Sequence, residues 1–232
     1  MNMCLDNIEY KEESGIGYLY LKNLPANIMT EQFFSDFSYV ISNIKENLVK
    51  GIIIAGKGRH FSSGVDMDML KQMIHRETLV DECGNITELS VSHLRDKNSF
   101  LALNKMSIPV VSVIGGFAIG SGFEICLNSH IRICEKNARV GLPESTFGLL
   151  PAMGGIPRSI EIVGLTNSLT TVLSGEIYNA SDAYQMGLVD LVVDKKQGIE
   201  FAEKLIKYIT WLDEEYDKEK VLEYIEKHIL LN

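Results

Sequence analysis

The chain has 232 residues, 46% hydrophobic and 23% charged, which suits one large domain with a sizeable core, or a domain with a small appendage. A formal net charge of −9 argues against a nucleic-acid partner, and the longest apolar run, Pro109 to Ile119, is too short and too glycine-broken to span a membrane. The four cysteines form no C-x-x-C pair, the histidines no H-x-x-x-H pair, and no secretory leader is evident, so we expect no metal site, reduced thiols and a cytoplasmic setting.

In chain order, short apolar runs alternate with stretches of helical period, the pattern of an α/β chain. The first predicted strand is "IGYLYL" at 16–21. An amphipathic helix follows over 30–47, opening on Thr30 and placing Phe33, Phe37, Val40, Ile41 and Ile44 on one face. "GIIIA" at 51–55 is the second strand, and it runs into a glycine-rich turn, "GKGRHF". Lys57, Arg59 and His60 in that turn form a local basic group that could meet an anion, although a solvated turn explains them equally well. Residues 71–108 are the least regular part of the chain, with His75, Arg76, Glu77, Asp81 and Glu82 around a turn at "CGN". They read as helical pieces and a mobile, lid-like loop, with a plain surface excursion as the alternative. Further strands are expected at 109–114 ("PVVSVI"), 131–134 ("IRIC") and 188–193 ("LVDLVV"). From Ile199 the tail has helical periodicity through Leu212 and again from Val221 to Ile229. We therefore divide the chain into a core, 1–194, and a C-terminal helical region, 195–232.

The stretch "GGFAIGSGFEICL", Gly115 to Leu127, places four glycines ahead of a glutamate set among apolar residues. A phosphate loop does not fit, because Ser121 and Gly122 stand where Lys and Ser/Thr belong. A dinucleotide fingerprint fails at Ile125, where the third glycine should be. Ser121 and Glu124 do match a helix-starting capping box, S-x-x-E. That accounts for the serine and the glutamate but leaves the glycines unexplained.

Three stretches in order, "GKGRHFSSGVDMDML", "PVVSVIGGFAIGSGFEICL" and "ARVGLPESTFGLLPAMGGIPR", together resemble the crotonase, or enoyl-CoA hydratase/isomerase, superfamily. The resemblance runs from about Ile16 to Val193. It implies a spiral of ββα units that binds an acyl thioester and holds the thioester oxygen with two backbone N–H groups. Carried onto this sequence, those oxyanion-hole donors are Val65 and Ser121, with Ser63, Gly64, Asp66 and Gly120 as the substrate-binding positions around them. The chemistry accounts for the glycines, since small residues let a ligand reach preorganised backbone donors.

Glu124 in "GSGFE" and Glu144 in "LPES" resemble the two catalytic glutamates of the hydratase branch. Keeping both favours a lyase that adds water to a 2-enoyl thioester, or removes it from a 3-hydroxyacyl thioester, without a cofactor. A double-bond isomerase and a catalytically silent assembly subunit are the alternatives. Glu124, flanked by Phe123 and Ile125, should bind its proton more tightly than usual if desolvation dominates. The sequence departs from many hydratases near Asp68, where they carry a lysine, which leaves an acyl-carrier-protein thioester open beside acyl-CoA. The resemblance further implies a homotrimer or homohexamer.

Overall fold

Along the strand β4 (Gly51–Gly56), Ile52 and Ile54 belong to one buried apolar cluster while Ile53 and Ala55 belong to another. The period of two thus buries both faces of the strand, which is what a parallel sheet requires. The computed structural model describes residues 1–66, 68–69 and 88–214. Among these, β4 is the centre of a seven-stranded sheet. On one side lie β3 (Ile16–Leu21), β2 (Ile8–Glu13) and β1 (Asn2–Cys4). On the other lie β5 (Val110–Ile114), β7 (Ile131–Glu135) and β10 (Leu191–Val193). The chain pairs antiparallel from β1 to β3 and parallel from β3 to β10.

One face is covered by α1 (Glu31–Asn43) and α2 (Glu88–Leu103). Thr30 caps α1 by accepting the Phe33 N–H at 3.2 Å. Phe33, Phe37 and Val40 are then fully buried, and the Phe100 ring of α2 meets Phe37 edge-on with centroids 5.2 Å apart. The other face is covered by α6 (Gly198–Glu214), through Ala202, Leu205 and Ile206. The apolar face expected on the tail helix therefore finds its partner in the protein's own sheet and supplies no argument for a contact between subunits.

A second, three-stranded sheet is formed by β6 (Phe117–Ile119), β8 (Arg139–Gly141) and β9 (Ile177–Asn179). The remaining helices are α3 (Ser121–Asn128), α4 (Gly155–Ser174), broken at Gly164, and α5 (Ala180–Gln185). This is the expected α/β class, with a parallel-rich sheet and helices on both faces.

Several expectations change. The helix predicted over 30–47 ends at Asn43, because Ile44 is extended and a separate one-turn 3-10 helix follows at Glu46–Leu48. Residues 88–103, within the segment read as helical pieces and a lid-like loop, form one continuous helix of 16 residues. Its described half carries only Phe100 and Leu103 into the core, beside buried Asp96 and Ser99, so the apolar stripe was too sparse to read. The strand expected over 188–193 is confined to 191–193, since Asp190 turns to receive the backbone N–H and guanidinium of Arg132. Of the proposed lid over 71–108, residues 71–87 lie outside the described residues, as does the second helical stretch of the tail, from Val221 to Ile229.

Candidate active site

The site is assembled by three chain segments that run side by side. Ser62 pairs in parallel with Ala118, and the Ser62 N–H donates to Phe117 O at 2.9 Å while Ile119 N–H donates to Ser62 O at 3.0 Å. On its other side β6 pairs in parallel with β8, with Ile119 opposite Gly141, and Gly120 N–H donates to Gly141 O at 3.0 Å. Parallel strands release their C-terminal ends at the same edge. The residues that follow the paired positions, Val65 after Ser62, Ser121 after Ile119 and Glu144 after Gly141, therefore emerge together.

Val65 N–H and Ser121 N–H both lack a hydrogen-bond partner among the described residues. Backbone donors are ordinarily paired, so two neighbouring free ones form a ready acceptor site. Gly64 and Gly120, one residue ahead of each, hold φ values of 88° and 56° that disfavour any side chain. A Cβ on Gly64 would lie 2.7 Å from Ile119 O and 3.7 Å from Ser121 N, so the first turn packs directly on the second. Ser62 stiffens the first turn from below, donating from its hydroxyl to Asn27 O at 2.7 Å and accepting Gly64 N–H at 3.1 Å.

Glu124 is fully buried on α3, one turn past Ser121. Its Oε1 accepts the Met153 and Gly155 N–H groups, each at 2.8 Å, and its Oε2 accepts the Ser121 hydroxyl at 3.2 Å. Gly155 opens α4, so the carboxyl also occupies the N-terminus of that helix, where unpaired N–H groups favour an anion. Burial outweighs these donors and pushes the Glu124 pKa up to about 7. The direction is the one expected from its apolar flanks.

The capping box is corrected. Gly120 is the N-cap and Ser121 the first helical residue, and Glu124 N–H bonds to Gly120 O at 3.0 Å rather than to a serine oxygen. The glycine takes that place because the backbone turns through positive φ there, which a serine would resist.

Glu144 stands in a short 3-10 turn, Pro143–Phe147, immediately after β8. Its Oε2 is buried without a partner among the described residues, and burial followed by the charge of Glu124 pushes its pKa up to about 8. Gly120 leaves room for it, since a Cβ there would lie 3.1 Å from Glu144 Oε1.

Of the other positions, Ser63 is exposed and its N–H is held by Ala26 O at 3.0 Å. The Asp66 carboxylate accepts the N–H groups of Asp68 and Met69 at 3.0 and 3.1 Å, so it caps the turn after Val65. The basic group is largely engaged: Lys57 pairs with Glu9 at 3.1 Å and covers the Tyr20 ring, while His60 stacks on Phe117. Sequence reasoning missed the Met153 and Gly155 donors and Asn128, which bonds to the same loop. The paired glycines of "PAMGGIPR" were the available signal, since they bring that loop's backbone against Glu124.

A parallel-rich sheet beside a small second sheet is the crotonase type of fold, and it brings together, among the described residues, two backbone donors without a partner and two carboxyls whose pKa values are raised. The chain belongs to the enoyl-CoA hydratase/isomerase family, whose model matches residues 11–220. It is 33% identical over 204 residues to the fatty acid oxidation complex subunit alpha of Shewanella frigidimarina, covering 85% of this chain and 27% of that one. The same subunit of Shewanella loihica is 34% identical over 171 residues, 72% of this chain and 23% of the relative. The chain thus spans about a quarter of the length of these curated relatives. Among solved structures it resembles Pseudomonas aeruginosa DspI, with a TM-score of 0.76 at 25% identity over 88% of this chain and 74% of that one. A putative enoyl-CoA hydratase of Thermobifida fusca in complex with acetoacetyl-CoA has the same fold, with a TM-score of 0.76 at 23% identity over 88% and 80%.

Proposed function

We propose that this protein hydrates a 2-enoyl-CoA thioester to the 3-hydroxyacyl thioester, and catalyses the reverse dehydration. The observation that carries the reading is the placing of two proton-hungry carboxyls, Glu124 and Glu144, on either side of Gly120 and Ser121, beside the N–H groups of Ser121 and Val65, which have no partner among the described residues. In the forward direction the thioester oxygen accepts both N–H groups, which makes Cβ electrophilic and stabilises the enolate that develops. Water attacks Cβ and gives its proton to the Glu124 carboxylate, while protonated Glu144 delivers a proton to Cα. The donors on Glu124 Oε1 favour its ionised form, while desolvation of Glu144, whose Oε2 has no partner among the described residues, favours its neutral form. Those environments support the division of labour. The reaction written this way uses only chain groups and water, and needs neither metal nor redox cofactor. The Thermobifida fusca neighbours, solved in complex with acetoacetyl-CoA and with CoA, support acyl-CoA over a carrier-protein thioester.

A panel of 2-enoyl-CoA substrates of increasing chain length, followed by loss of enoyl absorbance, tests the proposal. Hydration of at least one member is the expected result. Conversion of matched 3-enoyl-CoA with no hydration would replace it by isomerisation. No binding of a non-reactive acyl-CoA would point instead to a silent assembly subunit.

A further inference from the structure

Asn128 is fully buried at the end of α3, one turn beyond Glu124. Its Nδ2 donates to two carbonyls, Glu124 O at 2.8 Å and Met153 O at 3.2 Å. Its Oδ1 is buried with no partner among the described residues. An unpaired buried acceptor is unfavourable, and an apolar residue of similar size would avoid it. What the amide provides is a tie between the helix that carries Glu124 and the turn that donates to Glu124. Gly154, at the centre of that turn, holds a φ of 94°, and a Cβ there would lie 3.6 Å from both polar atoms of Asn128. The turn is thus seated on the amide, and its flanking Met153 and Gly155 N–H groups converge on one carboxyl oxygen.

We infer that Asn128 is a positioning residue for Glu124: by holding Met153 O and Glu124 O together it keeps the 153–155 turn aimed at Glu124 Oε1. That assigns one carboxyl oxygen to the protein and leaves Oε2, which among the described residues accepts only the Ser121 hydroxyl, for water. The inference rests on the hydration reading above for its catalytic meaning, but the geometry it describes does not depend on that reaction.

Loss of the tie loosens two hydrogen bonds that favour the carboxylate, so Glu124 takes up its proton more readily. The other charged groups that act on it are Lys97 of α2, which favours the carboxylate, and Glu144 from the 3-10 turn, whose charge opposes it. Neither touches Asn128 in any described hydrogen bond.

The test is carboxyl carbon-13 NMR of protein labelled at glutamate side chains, with the Glu124 resonance identified by its absence in Glu124→Gln. In Asn128→Leu the Glu124 titration midpoint is expected to rise by about one pH unit. Asn128→Ala, which removes both donated bonds without adding a charge, should move it in the same direction and covers the case in which the leucine variant fails to fold. In the Glu124→Gln background the Asn128 substitution should change kcat little further, since its effect runs through Glu124. A midpoint unchanged in either folded variant overturns the inference. A shifted midpoint in a protein that hydrates no thioester keeps the positioning role and removes the proposed reaction instead.

Discussion

Gly120 and Glu144 are in direct apposition: a Cβ on the glycine would come within 3.1 Å of Glu144 Oε1. The residue that turns the backbone into α3, ahead of the proposed second donor, is therefore also the wall against which the second carboxyl rests. Donor and acid are positioned by one residue 24 places before the glutamate, because β6 and β8 pair in parallel with Ile119 opposite Gly141.

From this arrangement each single variant, Glu124→Gln or Glu144→Gln, should bind an acyl-CoA nearly as the parent does while losing roughly 10²–10⁴-fold in kcat. The double variant should lose less than the product of the two, because groups that act as a unit are not additive. Steady-state kinetics with one good 2-enoyl-CoA check both statements. Full activity in both single variants would place the chemistry elsewhere.

The pH dependence of hydration follows from the same pair. With Glu124 working as carboxylate and Glu144 as acid, kcat/KM should rise as pH approaches about 7 and fall beyond about 8. These limbs belong to the coupled pair. In Glu144→Gln the residual activity should keep the rising limb and lose the falling one. A profile with both limbs intact in that variant would contradict the assignment of Glu144.

Stability should respond to Glu144 in the opposite sense from a surface acid. Its pKa is raised on folding, so the unfolded chain releases this proton first, and stability declines as pH climbs from the ordinary carboxylate range to about 8. Glu144→Gln removes that decline. Thermal melts should show little gain for the variant at pH 5, and at pH 8.5 a gain on the order of 3 kcal/mol, less than the full shift implies because the side chain is partly open to solvent.

Gly64→Ala adds a methyl where the chain holds a φ of 88° and where Ile119 O lies 2.7 Å away. Neither strand backbone can yield cheaply, so the two free donors should be displaced relative to each other. The expected loss is about 10²-fold or more in kcat, with a stability cost of roughly 1–3 kcal/mol. Kinetics alongside chemical denaturation separates the two effects. Parent-like kcat would show that Val65 does not act as a donor.

Phe100→Ala tests how α2 is held. The ring is fully buried and lies 6.0 Å from the Phe34 ring and 5.2 Å from that of Phe37, so its removal should cost about 3–5 kcal/mol. The midpoint of urea denaturation measures it. A cost below about 1 kcal/mol would mean that α2 does not pack on α1 in solution.

The long central strands were legible because local pattern and burial agree in them: "IGYLYL", "GIIIA", "PVVSVI" and "IRIC" are apolar runs whose both faces are covered. The strand β2, "IEYKEE", was not, since only Ile8 and Tyr10 turn inward and the rest reads as a polar surface. The strands β6, β8 and β9 have three residues each, too few for any period to show.

The sequence by itself determined which chemical groups are available: the glycines that free the backbone at 64 and 120, and the carboxyls at 124 and 144. Their residue types are local facts, and the order of three motifs was enough to indicate the family. Only the tertiary structure decided what each group faces. That Ser121 is the first helical residue rather than the cap, that Met153 and Gly155 share one oxygen of Glu124, and that Asp66 caps its own turn all depend on segments brought together by strand register. Hydrogen bonds and desolvation act over a few ångströms in space, and the 29 and 31 residues that separate Glu124 from its two backbone donors carry no trace of them in local periodicity.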